Sequence, residues 1–282
     1  MVVKIKSVLV TGGTGTIGKK VVEKLIEKKF KVYVLSRKKL KENKKVTYLK
    51  GDINSDIKIK NCDFIIHLAA CLDSRDKESC YLTNVDGTKN ILNLAKKLKI
   101  KKLVHISTIM VFKDSLNKVG NENWKKEKKS DNFYIDSKIN AELIVKESTI
   151  PSVIVYPTAV LDLKNRAEPY GSDIARFLWK IAGGFNGCIS CLFGSGQRIF
   201  NYVLVDDIAN GIILALEKGK MGESYILGGE NIEVSKYLKK MARFYKTHTL
   251  PIRIPNFFAK STNMNFSSQK AINDLNYNPK TI

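Results

Sequence analysis

Apolar residues recur along the chain in two alternating rhythms. Residues 2–10 alternate and close on Val8, Leu9 and Val10, the pattern of a buried parallel strand. Residues 16–29 then place Ile17, Val21, Val22, Leu25 and Ile26 on one helical stripe. Further strands are predicted at 32–35, 46–49 and 64–68, followed by a long helix whose buried side carries Val85, Ile91, Leu92, Leu94, Ala95 and Leu98. Residues 102–107 read as a fifth strand, 134–147 as a helix and 152–156 as a sixth strand. Strand and helix alternating this regularly predict an α/β fold, a doubly wound parallel sheet covered on both faces.

After Pro157 the rhythm breaks. A glycine-rich stretch, 183–196, precedes a strand at 199–204, a helix at 206–216, a short strand at 224–227 and two helical patterns beyond Glu233. No repeat or low-complexity linker divides these parts. The expected organisation is one sheet domain, 1–160 continued by 198–228, with a smaller, mostly C-terminal substrate lobe from 161–197 and 229–282.

With 282 residues and 44% hydrophobic content the chain can bury one large core. No apolar run approaches the roughly 18 to 20 residues of a membrane span, and the first one meets glycines, so neither signal peptide nor anchor is expected. Five scattered cysteines suit free thiols in a reducing, cytoplasmic setting. Cys188 and Cys191 form a CxxC pair, but no second such pair or Cys/His cluster accompanies them, so no metal site is expected. The net charge of +22 would suit a polyanion partner. Against that, only seven of 49 basic residues are Arg, the residue that forks onto phosphate, and lysines run along the whole chain as they do on solvated faces. No nucleic acid partner is expected.

Chemistry enters at Thr11-Gly12-Gly13-Thr14-Gly15-Thr16-Ile17-Gly18, between the first strand and the first helix. Glycines there let the backbone turn sharply and let a pyrophosphate approach the helix N-terminus, whose free N–H groups favour anions. This turn and its setting predict a Rossmann-type dinucleotide site, with Gly12, Thr14, Gly15, Thr16, Ile17 and Gly18 as contacts. NAD-preferring sites place an acid at the end of the second strand; here Ser36 and Arg37 stand there, and Arg37 can fork onto a 2'-phosphate. NADP is therefore the preferred expectation, with NAD the alternative.

Tyr134 and Lys138 are four apart on a predicted helix and so share a face. A phenol ionises near pH 10, and a neighbouring ammonium brings it into range for proton transfer. The hydroxyls of Ser107 and Thr108, at the end of the fifth strand, could hydrogen-bond the same carbonyl oxygen. Together these four residues are the candidate catalytic set.

Several segments in order resemble the extended short-chain dehydrogenases/reductases, the NAD-dependent epimerase/dehydratase superfamily, and among them the dihydroflavonol-reductase-like members. Beyond the glycine turn and YxxxK, Gly51-Asp52-Ile53 resembles the family's adenine contact. His67-Leu68-Ala69-Ala70 is similar to its HxAA cofactor-lining segment, and Asn84-Val85-Asp86-Gly87-Thr88 to its NVxGT helix start. Tyr156-Pro157-Thr158-Ala159-Val160 stands at its RPxxV turn, Val205-Asp206-Asp207 at its late helix cap and 270–275 at its closing helix. The resemblance implies Asp52, Ile53, Leu68, Ala69, Ala70, Asn84, Pro157 and Val160, with Tyr134 and Lys138, as cofactor contacts. It also implies hydride transfer to or from a keto or hydroxyl carbon of a small molecule, possible homodimers, and three alternatives of function. These are a reductase or dehydrogenase, an NAD-dependent sugar-nucleotide epimerase, and a non-catalytic NADP-binding protein. Ile109-Met110 stands where a 4,6-dehydratase would carry Asp-Glu, Tyr156 replaces an arginine, and Asn276 a glycine.

Overall fold

The computed structural model describes residues 5–40, 44–116, 118–129, 131–163, 189–193, 196–244, 246, 250–254 and 263–282. Its centre is a seven-stranded parallel sheet. The strands are β1 (Ser7–Thr11), β2 (Lys31–Ser36), β3 (Val46–Lys50), β4 (Phe64–His67), β5 (Lys102–Ile106), β6 (Ser152–Pro157) and β10 (Ser224–Leu227). They lie in the order β10-β6-β5-β4-β1-β2-β3.

Period-two alternation decides which side chain meets which helix layer. Val8, Val10, Val104, Val153 and Val155 join one core with α1 (Thr16–Glu27) and α5 (Val205–Lys218). Leu9, Leu103, Ile154 and Tyr156, one residue out of phase, join the opposite core. That second layer is α3 (Gly87–Leu98) and α4 (Phe133–Glu147). Complete burial of a Leu or Ile side chain stabilises by about 1.5–3 kcal/mol, so both faces drive the fold.

A short helix α2 (Lys77–Cys80) runs into a π-helical turn, Tyr81–Asp86, and then into α3. Helix α3 thus starts later than its apolar stripe suggests. A smaller sheet orders β11 (Glu230–Glu233), β9 (Ile199–Leu204) and β7 (Ala159–Leu161), with β7 parallel and β11 antiparallel to β9. A two-stranded parallel pair joins β8 (Ile189–Phe193) to β12 (Leu250–Ile254). Helix α6 (Val234–Phe244) follows β11, and α7 (Gln269–Leu275) lies near the C-terminus. Ala271, Leu275 and Tyr277 share the core of α1 and α5, so this last segment returns to the main sheet.

Helix ends follow from local chemistry. Asn276 takes a left-handed conformation (φ 58°) after α7; Asn is among the few side-chain-bearing residues that visit it readily. The buried Lys102 ammonium donates to Leu216 O (2.9 Å) and Gly219 O (2.8 Å), satisfying carbonyls at the negative end of α5. Asp207 does not cap α5; its carboxylate accepts from Lys280 N (2.8 Å) and ties down the tail. Among the described residues no helix is long and apolar enough to cross a membrane. Cys188, the aromatics Phe177, Trp179 and Phe185, and most of the stretch 183–196 lie outside the described residues.

Candidate active site

The glycine turn leaves β1 and enters α1 as anion binding requires. Gly12 has φ 69°, and a Cβ there would stand 2.7 Å from Ala69 N, so the position demands glycine twice over. A Cβ on Gly18 would overlap the carbonyl oxygen of Gly12. Gly15 caps α1 without any side-chain bond, and Thr14, Gly15 and Thr16 are exposed with Ile17 half-buried. The first amides of α1 therefore face outward without a side-chain cap, and the turn fits a dinucleotide pyrophosphate.

Around this turn the segment Leu68, Ala69 and Ala70 is half-buried beside the glycines. It is held there by a relay of hydrogen bonds. Ala69 N donates to Thr11 Oγ1 (3.2 Å), which pairs with His67 Nδ1 (2.7 Å). His67 Nε2 pairs with Thr88 Oγ1 (3.1 Å), whose proton goes to Asn84 O (2.6 Å). With Thr88 already donating, His67 must donate from Nε2 and accept at Nδ1 from Thr11, an assignment drawn from the network. Burial first, and the Lys138 charge second, push this imidazole down to about 3, so it stays neutral as the relay needs.

Asn84, expected to contact the cofactor, is tied into a buried bridge. Fully buried, it bridges backbone and helix: Oδ1 accepts from Cys71 N (2.8 Å), while Nδ2 donates to Cys71 O (3.0 Å) and Ser137 Oγ (2.8 Å). Ser137 passes the chain on to Tyr134 O (2.8 Å). The π-helical turn that carries Asn84 is of the kind that often re-aims a side chain at functional sites. Asn84 thus links the loop that follows β4 to α4.

Helix α4 is capped by Asn132, whose Oδ1 accepts from Ile135 N (3.1 Å). The cap sets Tyr134 on the first turn, half-buried, and Lys138 one turn later, buried. Lys138 Nζ donates to Ile106 O at the end of β5 (2.6 Å). Burial pushes this ammonium down to about 8, against the pull of Glu142. Thr108 follows β5 by two residues, nearly buried, and its Oγ1 accepts from Met110 N (3.2 Å) at a 3-10 turn, Ile109–Val111. A hydroxyl that accepts there still has a proton to donate. β5 and α4 thus bring Thr108, Tyr134 and Lys138 to the carboxyl ends of the strands, where open α/β sheets bind ligands.

Ser107 is bonded to a different partner. Its hydroxyl donates to Glu142 Oε1 (2.5 Å), and Tyr156 OH donates to Glu142 Oε2 (2.9 Å). Lys126 Nζ pairs with the same carboxylate and reaches Tyr156 OH (3.0 Å). Ser107, Tyr156 and Lys126 thus form a second hydroxyl, phenol and ammonium set, closed around a buried acid. Burial, and then Glu142, drive the Tyr156 phenol far above its ordinary value, so it keeps its proton. The sequence marks Tyr156 as a lost arginine; it does not mark Lys126, 30 residues away, as the cation beside Glu142.

The remaining expected contacts divide. Ile53 is buried with its side chain beside Gly87 at the start of α3, and Asp52 Oδ1 accepts from Asn54 N (2.9 Å) in a tight turn after β3. Ser36 turns inward: its hydroxyl donates to Lys38 O (2.9 Å) and accepts from Lys38 N (3.2 Å). This local turn leaves Arg37 exposed as the group presented at the end of β2. Pro157 is buried at the end of β6, and Val160 lies half-buried on β7. No group of three or more potential metal ligands occurs among the described residues.

Comparison with known proteins accords with this geometry. Residues 8–228 match the NAD dependent epimerase/dehydratase family, and the chain belongs to it. A putative dihydroflavonol 4-reductase of Synechocystis is 30% identical over 275 residues, covering 89% of this chain and 77% of the relative. Human sterol-4-alpha-carboxylate 3-dehydrogenase, decarboxylating, is 26% identical over 240 residues, and the chain spans 62% of its length. A solved UDP-glucuronic acid 4-epimerase of Bacillus cereus, in complex with NAD and a fluorinated UDP-sugar, shares the fold. Its TM-score is 0.79 at 20% identity, over 98% of this chain and 95% of that one.

Proposed function

We propose that the chain is an NAD-dependent oxidoreductase working at a secondary alcohol or ketone carbon of a small molecule, in the manner of a sugar-nucleotide 4-epimerase. The observation that carries the redox chemistry is Lys138, buried one helical turn beyond Tyr134 and bonded to the strand that leads to Thr108. NAD, when bound, supplies the acceptor and donor of hydride. Tyr134 takes the hydroxyl proton as the carbon is oxidised and returns it on reduction. Lys138 lowers the cost of the phenolate, and Thr108 donates to the substrate oxygen. Asn84 and Ser137 hold the helix in register with the cofactor loop.

The epimerase form rests on fold relatives that carry NAD with UDP-sugars and that the chain matches over nearly the whole of both lengths. On this reading residues 1–160 and 198–228 hold the nucleotide, and 161–197 with 229–282 select the substrate. The enzyme acts in the cytoplasm on a small molecule, as a single chain or homodimer, with no role for nucleic acid. A second reading, an NADPH-dependent reductase, is favoured by Arg37 at the end of β2 and by the absence of an acid there.

Denaturing purified protein and identifying the released nucleotide, then assaying UDP-sugars for 4-epimer formation, separates the two. Tightly held NAD with epimer formation supports the first. Free exchange of NADPH with net oxidation in the presence of ketones, and no epimer, supports the second.

A further inference from the structure

Two thiols with no part in the chemistry above lie against each other. Cys71 continues the cofactor-side segment Leu68, Ala69, Ala70 and is partly exposed, while Cys80 ends α2 and is fully buried. The Cys80 thiol donates to Cys71 Sγ at 3.5 Å, and its sulfur also sits 3.0 Å from Asp73 O. Bonded sulfurs are roughly 2 Å apart, so closure needs a movement of about 1.5 Å. The loop between them can supply it, since Leu72, Asp73, Arg75 and Asp76 are exposed.

We propose that Cys71 and Cys80 are a reversible redox pair, closing to a disulfide under peroxide and thereby changing the loop that borders the nucleotide cleft. The two sulfurs have distinct roles. Burial, then the bond to Cys71, push the Cys80 thiol up to about 12, so it keeps its proton and Cys71, the accessible sulfur, meets the oxidant. Cys71 thiolate attacks hydrogen peroxide, the O–O bond breaks, and a sulfenic acid and hydroxide form. The Cys80 thiol then attacks the sulfenic sulfur; the S–O bond breaks and the oxygen leaves as water with the Cys80 proton. The hydroxide takes up the proton first lost by Cys71. Two thiols are oxidised by two electrons, one peroxide is reduced to two waters, and a dithiol reverses the bond by exchange.

The loop is not free to absorb this unnoticed. Asn84 grips both backbone groups of Cys71 and is itself bonded to Ser137 beside Lys138. Strain at Cys71 is therefore passed to the catalytic helix. The bond itself does not depend on the proposed function, whereas its effect on nucleotide does.

The test treats the full chain with hydrogen peroxide, alkylates it under denaturing conditions and maps cysteine peptides by mass. The expected result is a Cys71–Cys80 cross-link with loss of two hydrogen atoms, reversed by dithiothreitol, while Cys62 remains alkylatable. Cys80→Ser should abolish the link and leave Cys71 trappable by dimedone. Cys71→Ser, a second variant at the accessible position, should abolish both. Oxidised wild type should bind NAD several-fold more weakly than reduced, and peroxide should not weaken NAD binding by either variant to that extent. Cys71 and Cys80 both alkylatable after peroxide, or a link confined to Cys188 and Cys191, would overturn the pair. Unchanged NAD affinity in cross-linked protein would overturn the coupling, and failure of reduced protein to bind NAD would instead count against the proposed function.

Discussion

Asn84 and Ser137 stand 53 residues apart in sequence yet meet at 2.8 Å, Nδ2 to Oγ, in the buried seam between the cofactor-side loop and α4. Because Asn84 also holds both backbone groups of Cys71, its loss leaves buried donors and acceptors unmatched. Asn84→Ala should lower stability by about 1–3 kcal/mol, measured by urea unfolding, and reduce kcat more than Ser137→Ala does. Equal stability of Asn84→Ala and wild type would show that the bridge carries nothing.

Glu142 collects the bonds of Ser107, Tyr156 and Lys126 under the active site. Removing the acid strips the partner from two buried hydroxyls at once. Glu142→Ala is expected to cost about 3 kcal/mol or more, while Lys126→Met, whose ammonium is partly exposed, should cost less. Chemical denaturation of both variants checks the order.

Lys138 gives a pH dependence with a definite sign. Its folded value is pushed down to about 8 from an ordinary value near 10.4, so the unfolded chain binds the proton more tightly. The resulting penalty is complete below about 8 and is relieved as pH rises from there toward 10.4. Nucleotide-free Lys138→Met should therefore be more stable than wild type at pH 7, by up to a few kcal/mol, with the gap narrowing between pH 8 and 10. Turnover should fall as pH rises through the same range, since the deprotonated amine no longer supports the phenolate. A stability gap independent of pH would contradict the buried ammonium.

Much of this site is legible in the sequence because its devices are local. The glycine turn lies between a strand and a helix whose periods are unmistakable, and Tyr134 and Lys138 are one helical turn apart. The bridge from Cys71 through Asn84 to Ser137 is not legible, because Asn, Ser and Cys have no periodicity and the π-helical turn that aims Asn84 leaves no apolar signature. Glu142 is hidden for a related reason: it is a buried charge on a helix with apolar residues around much of its circumference, whose counter-ion arrives from a distant loop. The inward turn by which Ser36 bonds Lys38 leaves no periodic signal in the sequence either. Strands β7 and β11, of three and four residues, are too short for alternation to declare itself.

Arg37 is exposed at the end of β2. If its guanidinium holds a 2'-phosphate, Arg37→Ala should weaken NADPH by about 1–3 kcal/mol and leave NADH nearly unchanged. Lys38, also exposed at the end of β2, could replace part of the lost charge, so the double variant belongs in the same titration. Preference for NADH in wild type, untouched by either substitution, would make Arg37 surface charge and strengthen the epimerase reading.

If Tyr134 moves the proton while the nucleotide is held elsewhere, Tyr134→Phe separates the two roles. Removing one phenolic oxygen from a half-buried ring should leave the fold and the glycine turn intact. Side-by-side measurement of turnover and of NAD affinity should give loss of nearly all kcat, with affinity within about twofold of wild type. A variant that binds NAD normally and keeps most of its kcat would contradict the assignment of Tyr134 as the acid–base residue.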